Sequence, residues 1–197
     1  GTADIGKAKV KSAKETMNAM NPDVQVNTYR ECVTSENIMD LIKDYDFILD
    51  GTDNFPAKFL INDACVMAKK PFCHAGIIRF KGQLMTYVPG EGPCYRCVFK
   101  NPPPKDAVPT CKQAGVIGAM GGVIGSLQAM EAIKYLLGVG ELLTGYLLTY
   151  DALTMEFRKI KLPKDTHNCA VCGDHPTILE PIDYEQEVCE ETENRFK

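Results

Sequence analysis

Hydrophobic residues return every three to four positions in some stretches of this chain and every second position in others, and the two rhythms alternate. Val10, Ala13, Met17 and Met20 make one apolar stripe and predict a helix over residues 8–20, stopped by Asn21 and Pro22. Val24, Val26 and Thr28 alternate with polar neighbours, as in a strand. Thr34 or Ser35 can cap a second helix that carries Ile38, Met39, Leu41 and Ile42. Phe47, Ile48 and Leu49 form a short apolar run between Asp46 and Asp50, which predicts a fully buried strand of a parallel sheet. Gly51, Thr52, Asp53 and Asn54 then lead into an apolar helix over 55–69, and Pro71 opens a short strand ending at His74. Helix and strand take turns, the rhythm of a doubly wound α/β sheet.

The second half changes character. Residues 83–88 read as a strand and Gly90 to Pro93 as a turn, followed by a proline-rich extended loop over 101–109. A long apolar helix over 121–137 places Ile124, Leu127, Met130, Ile133 and Leu137 on one face. Residues 146–150 and 155–162 predict a hairpin across Asp151 to Thr154. No glycine-rich phosphate turn stands ahead of a helix. Gly118, Gly121 and Gly122 read as packing glycines or a loop end. The chain opens on a helix, so the strand and glycine turn that begin a nucleotide-binding sheet are expected to be missing. The expected domain covers 1–178, with an acidic tail over 179–197 that is poorly ordered or partner-dependent.

Charge narrows the choices. The 197 residues carry 22 basic and 26 acidic side chains, a net charge of -4, which gives no basic face for nucleic acid. No apolar run is long enough to span a membrane, and the N-terminus does not read as a signal peptide. Nine cysteines, an odd number, argue against a fully paired secreted scaffold and for a cytoplasmic protein whose thiols serve as ligands or nucleophiles.

Four of those cysteines fall in two pairs, Cys94 with Cys97 and Cys169 with Cys172. Each C-x-x-C can bend two thiolates onto one ion, and two pairs complete a tetrahedral, closed zinc site of structural type. Two disulfides or a redox pair are the competing readings. The long separation between the pairs means that a metal there would clip the C-terminal segment back onto the sheet.

Three further groups carry potential chemistry. Asp53, at the carboxyl end of a strand, can hold Mg²⁺ between nucleotide phosphates or, with Asn54, cap the next helix. Lys9 stands near a helix start, where a cation opposes the dipole, and serves either to hold a phosphate or as a solvated charge. Cys111 lies in a loop beside Lys112, a setting that raises thiolate character, and reads equally as nucleophile or ordinary loop cysteine. His74 is assigned no chemistry, and Cys32, Cys65 and Cys73 are read as packing residues.

Together these segments resemble the ThiF/MoeB/HesA adenylyltransferases, bacterial relatives of ubiquitin-activating enzymes. The resemblance rests on Asp50 to Asn54, Gly92 to Cys97, Gly122 to Lys134, Tyr150 to Thr154 and Cys169 to Gly173. It implies a Rossmann-like sheet continuing into a mixed, antiparallel half with a four-cysteine zinc clip. It also implies adenylation, with MgATP, of the C-terminal glycine of a ubiquitin-fold sulfur carrier, for thiamine or molybdopterin sulfur transfer. Lys9 then matches a lysine on the ATP phosphates, and Asp53 the metal and phosphate aspartate, with Thr52 and Asn54 beside it. Cys111 matches a loop cysteine of acyl or disulfide intermediates, and the paired cysteines match the zinc ligands. A homodimer and a sulfur donor such as a cysteine desulfurase are implied as well. The family's N-terminal strand, glycine loop and upstream arginines are absent. The chain is therefore expected to be a fragment, inactive alone, with activity in its parent. The alternative is a non-catalytic, zinc-stabilised module that docks a carrier and has lost nucleotide binding.

Overall fold

The first apolar stripe forms its helix but buries none of it. A computed structural model describes residues 2–103, 114–163 and 166–184. The chain divides into two units, Gly1–Val33 and Thr34–Lys197. In the first, helix α1 (Lys9–Met20) ends with the Asn21 N–H bonded to Met17 O. Met17 is 47% exposed and Met20 75%, so the stripe has no core to enter within this unit. Residues 24–28 form no strand, because a strand needs a neighbour for its N–H and C=O groups and none pairs with them among the described residues. Cys32, expected to pack, is exposed.

The second unit is built on a five-stranded sheet of order β1-β2-β3-β4-β5. Its strands are β1 (Ile48–Asp50), β2 (Phe72–Ile78), β3 (Lys81–Tyr87), β4 (Tyr146–Asp151) and β5 (Glu156–Lys161). Only β1 and β2 are parallel, with Asp50 opposite His74; the rest is antiparallel. The α/β rhythm therefore gives way to a meander, and the predicted hairpin is the β4–β5 pair. β1 lies at one edge of this sheet and has a single buried residue, Asp50, with Leu49 47% exposed, so it is not the fully buried strand that its apolar run suggested.

Helices cover both faces of the sheet at β1 and β2, whereas β5 is exposed throughout. Helix α2 (Ile38–Ile42) starts later than a Thr34 or Ser35 cap would place it: Asn37 is the N-cap and makes no side-chain cap bond, its Oδ1 accepting instead from the Thr34 N–H, while Thr34 O accepts from the Ile38 N–H. Helix α3 (Phe55–Met67) is capped by Asn54 Oδ1, which accepts from the Ala57 N–H at 2.8 Å. On that side Phe59 meets Tyr95 of the short helix α4 (Tyr95–Val98), and Tyr95 meets His74. The opposite face of β2 and β3 packs Cys73, Ala75 and Leu84 against Met120 and Ile124 of helix α5 (Gly118–Leu137).

Helix α5 packs Ile124 and Leu127 of the stripe expected of it onto the core but leaves the rest of that stripe out. Met130 is 50% exposed, Ile133 46% and Leu137 68%, while Met120, Ile124, Gln128 and Glu131 are buried. The helix is apolar nearly all round, so periodicity could not choose its face; hydrogen bonding did. Gln128 Nε2 donates to Asp50 O and Cys73 O, both at 2.9 Å, and Glu131 Oε2 accepts from Thr86 Oγ1 at 2.6 Å and Leu143 N at 2.8 Å. Polar side chains that complete strand and loop backbone gain more from burial than another methyl group would. Gly118, Gly121 and Gly122 have open space where a Cβ would stand, so they are not packing glycines. Gly82 is: a Cβ there would lie 2.5 Å from Ile124 Cδ1, and its absence lets α5 approach β3.

Candidate functional site

The acidic turn leaves the carboxyl end of β1, the rim where open α/β sheets carry ligands. Asp53 stands there exposed, with no hydrogen bond or ion pair among the described residues. Thr52 is bound to the strand behind it, its N–H and Oγ1–H both donating to Asp50 Oδ1, at 2.9 and 2.6 Å. Asn54 serves the cap described above.

Asp50 itself is the residue that sequence reasoning missed. It is 1% exposed, and its Oδ2 accepts from Lys58 Nζ at 3.1 Å and His74 Nδ1 at 2.8 Å. Lys58 Nζ also donates to Ala75 O at 2.6 Å. Burial raises the Asp50 carboxyl, but the His74 hydrogen bond, the Lys58 charge and Thr52 outweigh it and hold the pKa at about 2. Burial, helped by the Lys58 ammonium, holds the His74 imidazole below its usual range against the pull of Asp50. His74 Nδ1 is then the N–H donor, and Nε2 is buried without a partner. The signal was present: Lys58 follows Asp50 by eight residues, on the first turns of α3. Nothing in the spacing said that both would be buried.

The second assembly is the cysteine cluster. Cys94, Cys97, Cys169 and Cys172 bring their Sγ atoms within 4.8 Å of one another. Cys94 Sγ lies 3.8 Å from Cys97 and 3.6 Å from Cys169, and Cys97 lies 3.4 Å from Cys172. A tetrahedron with Zn–S bonds of about 2.3 Å has edges of about 3.8 Å, whereas a disulfide needs about 2.05 Å. The donor set fits a four-thiolate ion, and the sulfur separations are too long for disulfides. Each pair sits on a tight turn, Cys97 N–H to Cys94 O and Gly173 N–H to Cys169 O, both at 3.1 Å. Gly173 is required, because a Cβ there would meet Cys169 O and His167 O at 2.5 Å.

Between the two assemblies lies a second buried ion pair. Arg96 donates to Asp63 through Nε at 2.7 Å and Nη2 at 2.8 Å, and its guanidinium covers the Phe59 ring. The Tyr95 N–H donates to Asn62 Oδ1 at 2.8 Å. Tyr184 meets Arg96 and Asp63, and Asp183 accepts from Ser35 N and Oγ.

Lys9 lies exposed in the first turn of α1, in the first unit. Cys111 lies outside the described residues. Cys65 and Cys73 are buried, and burial pushes the Cys73 thiol up to about 12, so it is a packing group rather than a nucleophile.

An acidic turn at the end of a parallel strand, on a sheet whose following segments bring four cysteines together, defines an α/β protein with two candidate sites. The chain belongs to the ThiF family, which matches residues 1–171. It is 46% identical over 189 residues to the sulfur carrier protein adenylyltransferase of Thermus thermophilus, covering 93% of this chain and 69% of that protein. It is 44% identical over 185 residues to the adenylyltransferase and sulfurtransferase MOCS3 of Sus scrofa, covering 94% of this chain and 41% of that one. The fold matches Escherichia coli MccB solved with ATP, at a TM-score of 0.72 and 19% identity, over 88% of this chain and 53% of MccB. The chain thus spans about half or less of several of the proteins it matches. No helix among the described residues is long and apolar enough to cross a membrane.

Proposed function

We propose that this chain is part of an enzyme that uses ATP to adenylate the C-terminal glycine of a small ubiquitin-fold sulfur-carrier protein. The observation that carries the reading is Asp53, a free carboxylate held on a locked turn at the rim of a ThiF-family sheet. The carrier's carboxylate attacks the α-phosphorus of ATP, the bond to the β-phosphate oxygen breaks, and pyrophosphate leaves an acyl-adenylate. A cysteine desulfurase, the sulfur donor in this reading, presents a cysteine persulfide whose terminal sulfur attacks the acyl carbon and expels AMP; a second thiol then cleaves the resulting acyl disulfide, becoming part of a disulfide with the donor cysteine and leaving the carrier thiocarboxylate for thiamine or molybdopterin synthesis.

Positioning and charge neutralisation supply most of the rate in such a step. Asp53 would hold Mg²⁺, which neutralises phosphate charge when bound. Lys9 is assigned to the phosphates of ATP. The Thr52 hydroxyl proton is committed to Asp50, so Thr52 contributes through the turn that it shapes, and Asn54 keeps its amide N–H groups for phosphate. Cys111 is assigned a transient bond to the acyl group or to sulfur. Cys94, Cys97, Cys169 and Cys172 would hold one structural zinc. The exposed α5 stripe of Met130, Ile133 and Leu137 supports a homodimer, and the enzyme is assigned to the cytoplasm.

The test is ATP–pyrophosphate exchange by the intact protein with candidate Gly-Gly-ended carriers. Exchange should depend on one carrier and fall with Asp53→Asn. Absence of exchange with every such carrier refutes the reading.

A further inference from the structure

We propose that His74 and Lys58 are positioning residues for the adenylation chemistry: through Asp50 they fix the 51–54 turn, and so fix where Asp53 presents its carboxylate. The proposal rests on the adenylation reading above.

The bonding around Asp50 divides cleanly between its two oxygens. Oδ1 receives Thr52 N–H and Oγ1–H and so shapes the backbone that leads to Asp53. Oδ2 receives Lys58 from α3 and His74 from β2 and so ties that backbone to two rigid elements. The strand end is braced again from the other face, where Gln128 donates to the carbonyls of Asp50 and Cys73. His74 is itself held by the Tyr95 ring, centroids 4.4 Å apart, and Lys58 by Ala75 O. A carboxylate with 1% exposure cannot turn to water for replacement donors, so losing one of these partners loosens the turn rather than exchanging one contact for another. Displacing a reacting group by about 1 Å can lower the rate on the order of 100-fold.

The experiment uses the intact protein and its carrier in ATP–pyrophosphate exchange. His74→Leu removes the donor to Oδ2. It should lower kcat by roughly 10- to 100-fold, raise the Mg²⁺ concentration needed for half-maximal rate, and leave the carrier KM within about twofold. His74→Asn places an amide nitrogen where Nδ1 stood and should restore most of kcat. Lys58→Met should repeat the pattern and carries the comparison if His74→Leu fails to fold. Hydrogen exchange at the Thr52 amide gives a readout independent of activity, and it should quicken in His74→Leu and recover in His74→Asn. Unchanged kcat, Mg²⁺ dependence and Thr52 protection in folded His74→Leu and Lys58→Met would overturn the proposal. Equal loss in His74→Asn and His74→Leu would overturn it too. A wild-type protein that exchanges with no carrier refutes the adenylation reading instead, and Thr52 protection still decides the positioning claim.

Discussion

The cysteine cluster and the Asp50 cluster both tie distant stretches of the same unit together, but they do so by opposite means. The first uses four soft ligands whose pairing is written in local spacing, and it joins segments 75 residues apart. The second uses ordinary charged residues from β1, α3 and β2, and its strength comes from hydrogen bonds and charges that burial shields from water. A thiolate pair keeps its chemical meaning wherever it stands, whereas an aspartate near a lysine means nothing until water is excluded. The comparison shows why a four-cysteine cluster is visible in a sequence and a charge lock is not.

Loss of the clip should be the largest effect. Chelation, or Cys169→Ser, should remove one zinc per chain by elemental analysis. It should lower the melting temperature on the order of 10 °C, from about 4 kcal/mol of lost loop constraint. A metal-free protein with an unchanged melting point would break the comparison at its first half.

Next comes the buried pair beside the clip. Arg96→Met leaves the fully buried Asp63 carboxyl without its countercharge, although Asn62 Nδ2 still donates to it, and should destabilise by about 3 kcal/mol in denaturant unfolding. A change no larger than that of a surface substitution would show that water reaches Asp63 after all.

The Asp50 lock should respond to acid with a smaller effect. Its folded pKa of about 2 lies below the ordinary 3.8, so its contribution, roughly 2 kcal/mol, is full above pH 4 and is lost as pH falls towards 2. The His74 pKa is also lowered, from 6.5, so the folded state resists protonation, and the linked stability falls as pH drops below 6.5. Both signs agree: the part of the stability that these two groups supply should be flat above neutrality and decline from pH 6.5 downwards. NMR titration of the His74 ring checks the upper part of that decline, and a ring that protonates at or above pH 6.5 would contradict it.

The smallest effect belongs to a pair that looks similar on paper. Arg158 and Glu156 meet at 2.8 Å on the exposed strand β5, where water and salt screen them. Glu156→Gln should not move the melting point measurably. If it matched Arg96→Met, burial would not be what separates the locks from surface pairs.

Local chemistry made part of this protein legible from its residues. The two C-x-x-C pairs, the Asn54 cap, the hairpin after Tyr146 and the turn carrying Asp53 each depend on a few neighbours, and the folded chain holds them where the residues suggested. The expectations that failed were those that needed to know what lies opposite. The α1 stripe found nothing to cover it within its unit, residues 24–28 found no neighbouring strand among the described residues, and β1 came to lie at a sheet edge.

The residues alone determined which side chains could bind a metal, cap a helix or offer a carboxylate at a rim, because those capacities are intrinsic to residue type and short spacing. Tertiary structure alone decided that Asp50, Lys58 and His74 share one dry site, and that α5 turns Gln128 and Glu131 inward rather than Met130 and Ile133. The physical reason is that a hydrogen bond or a charge pair gains its weight from the water excluded around it, and that exclusion is a property of the whole packed unit.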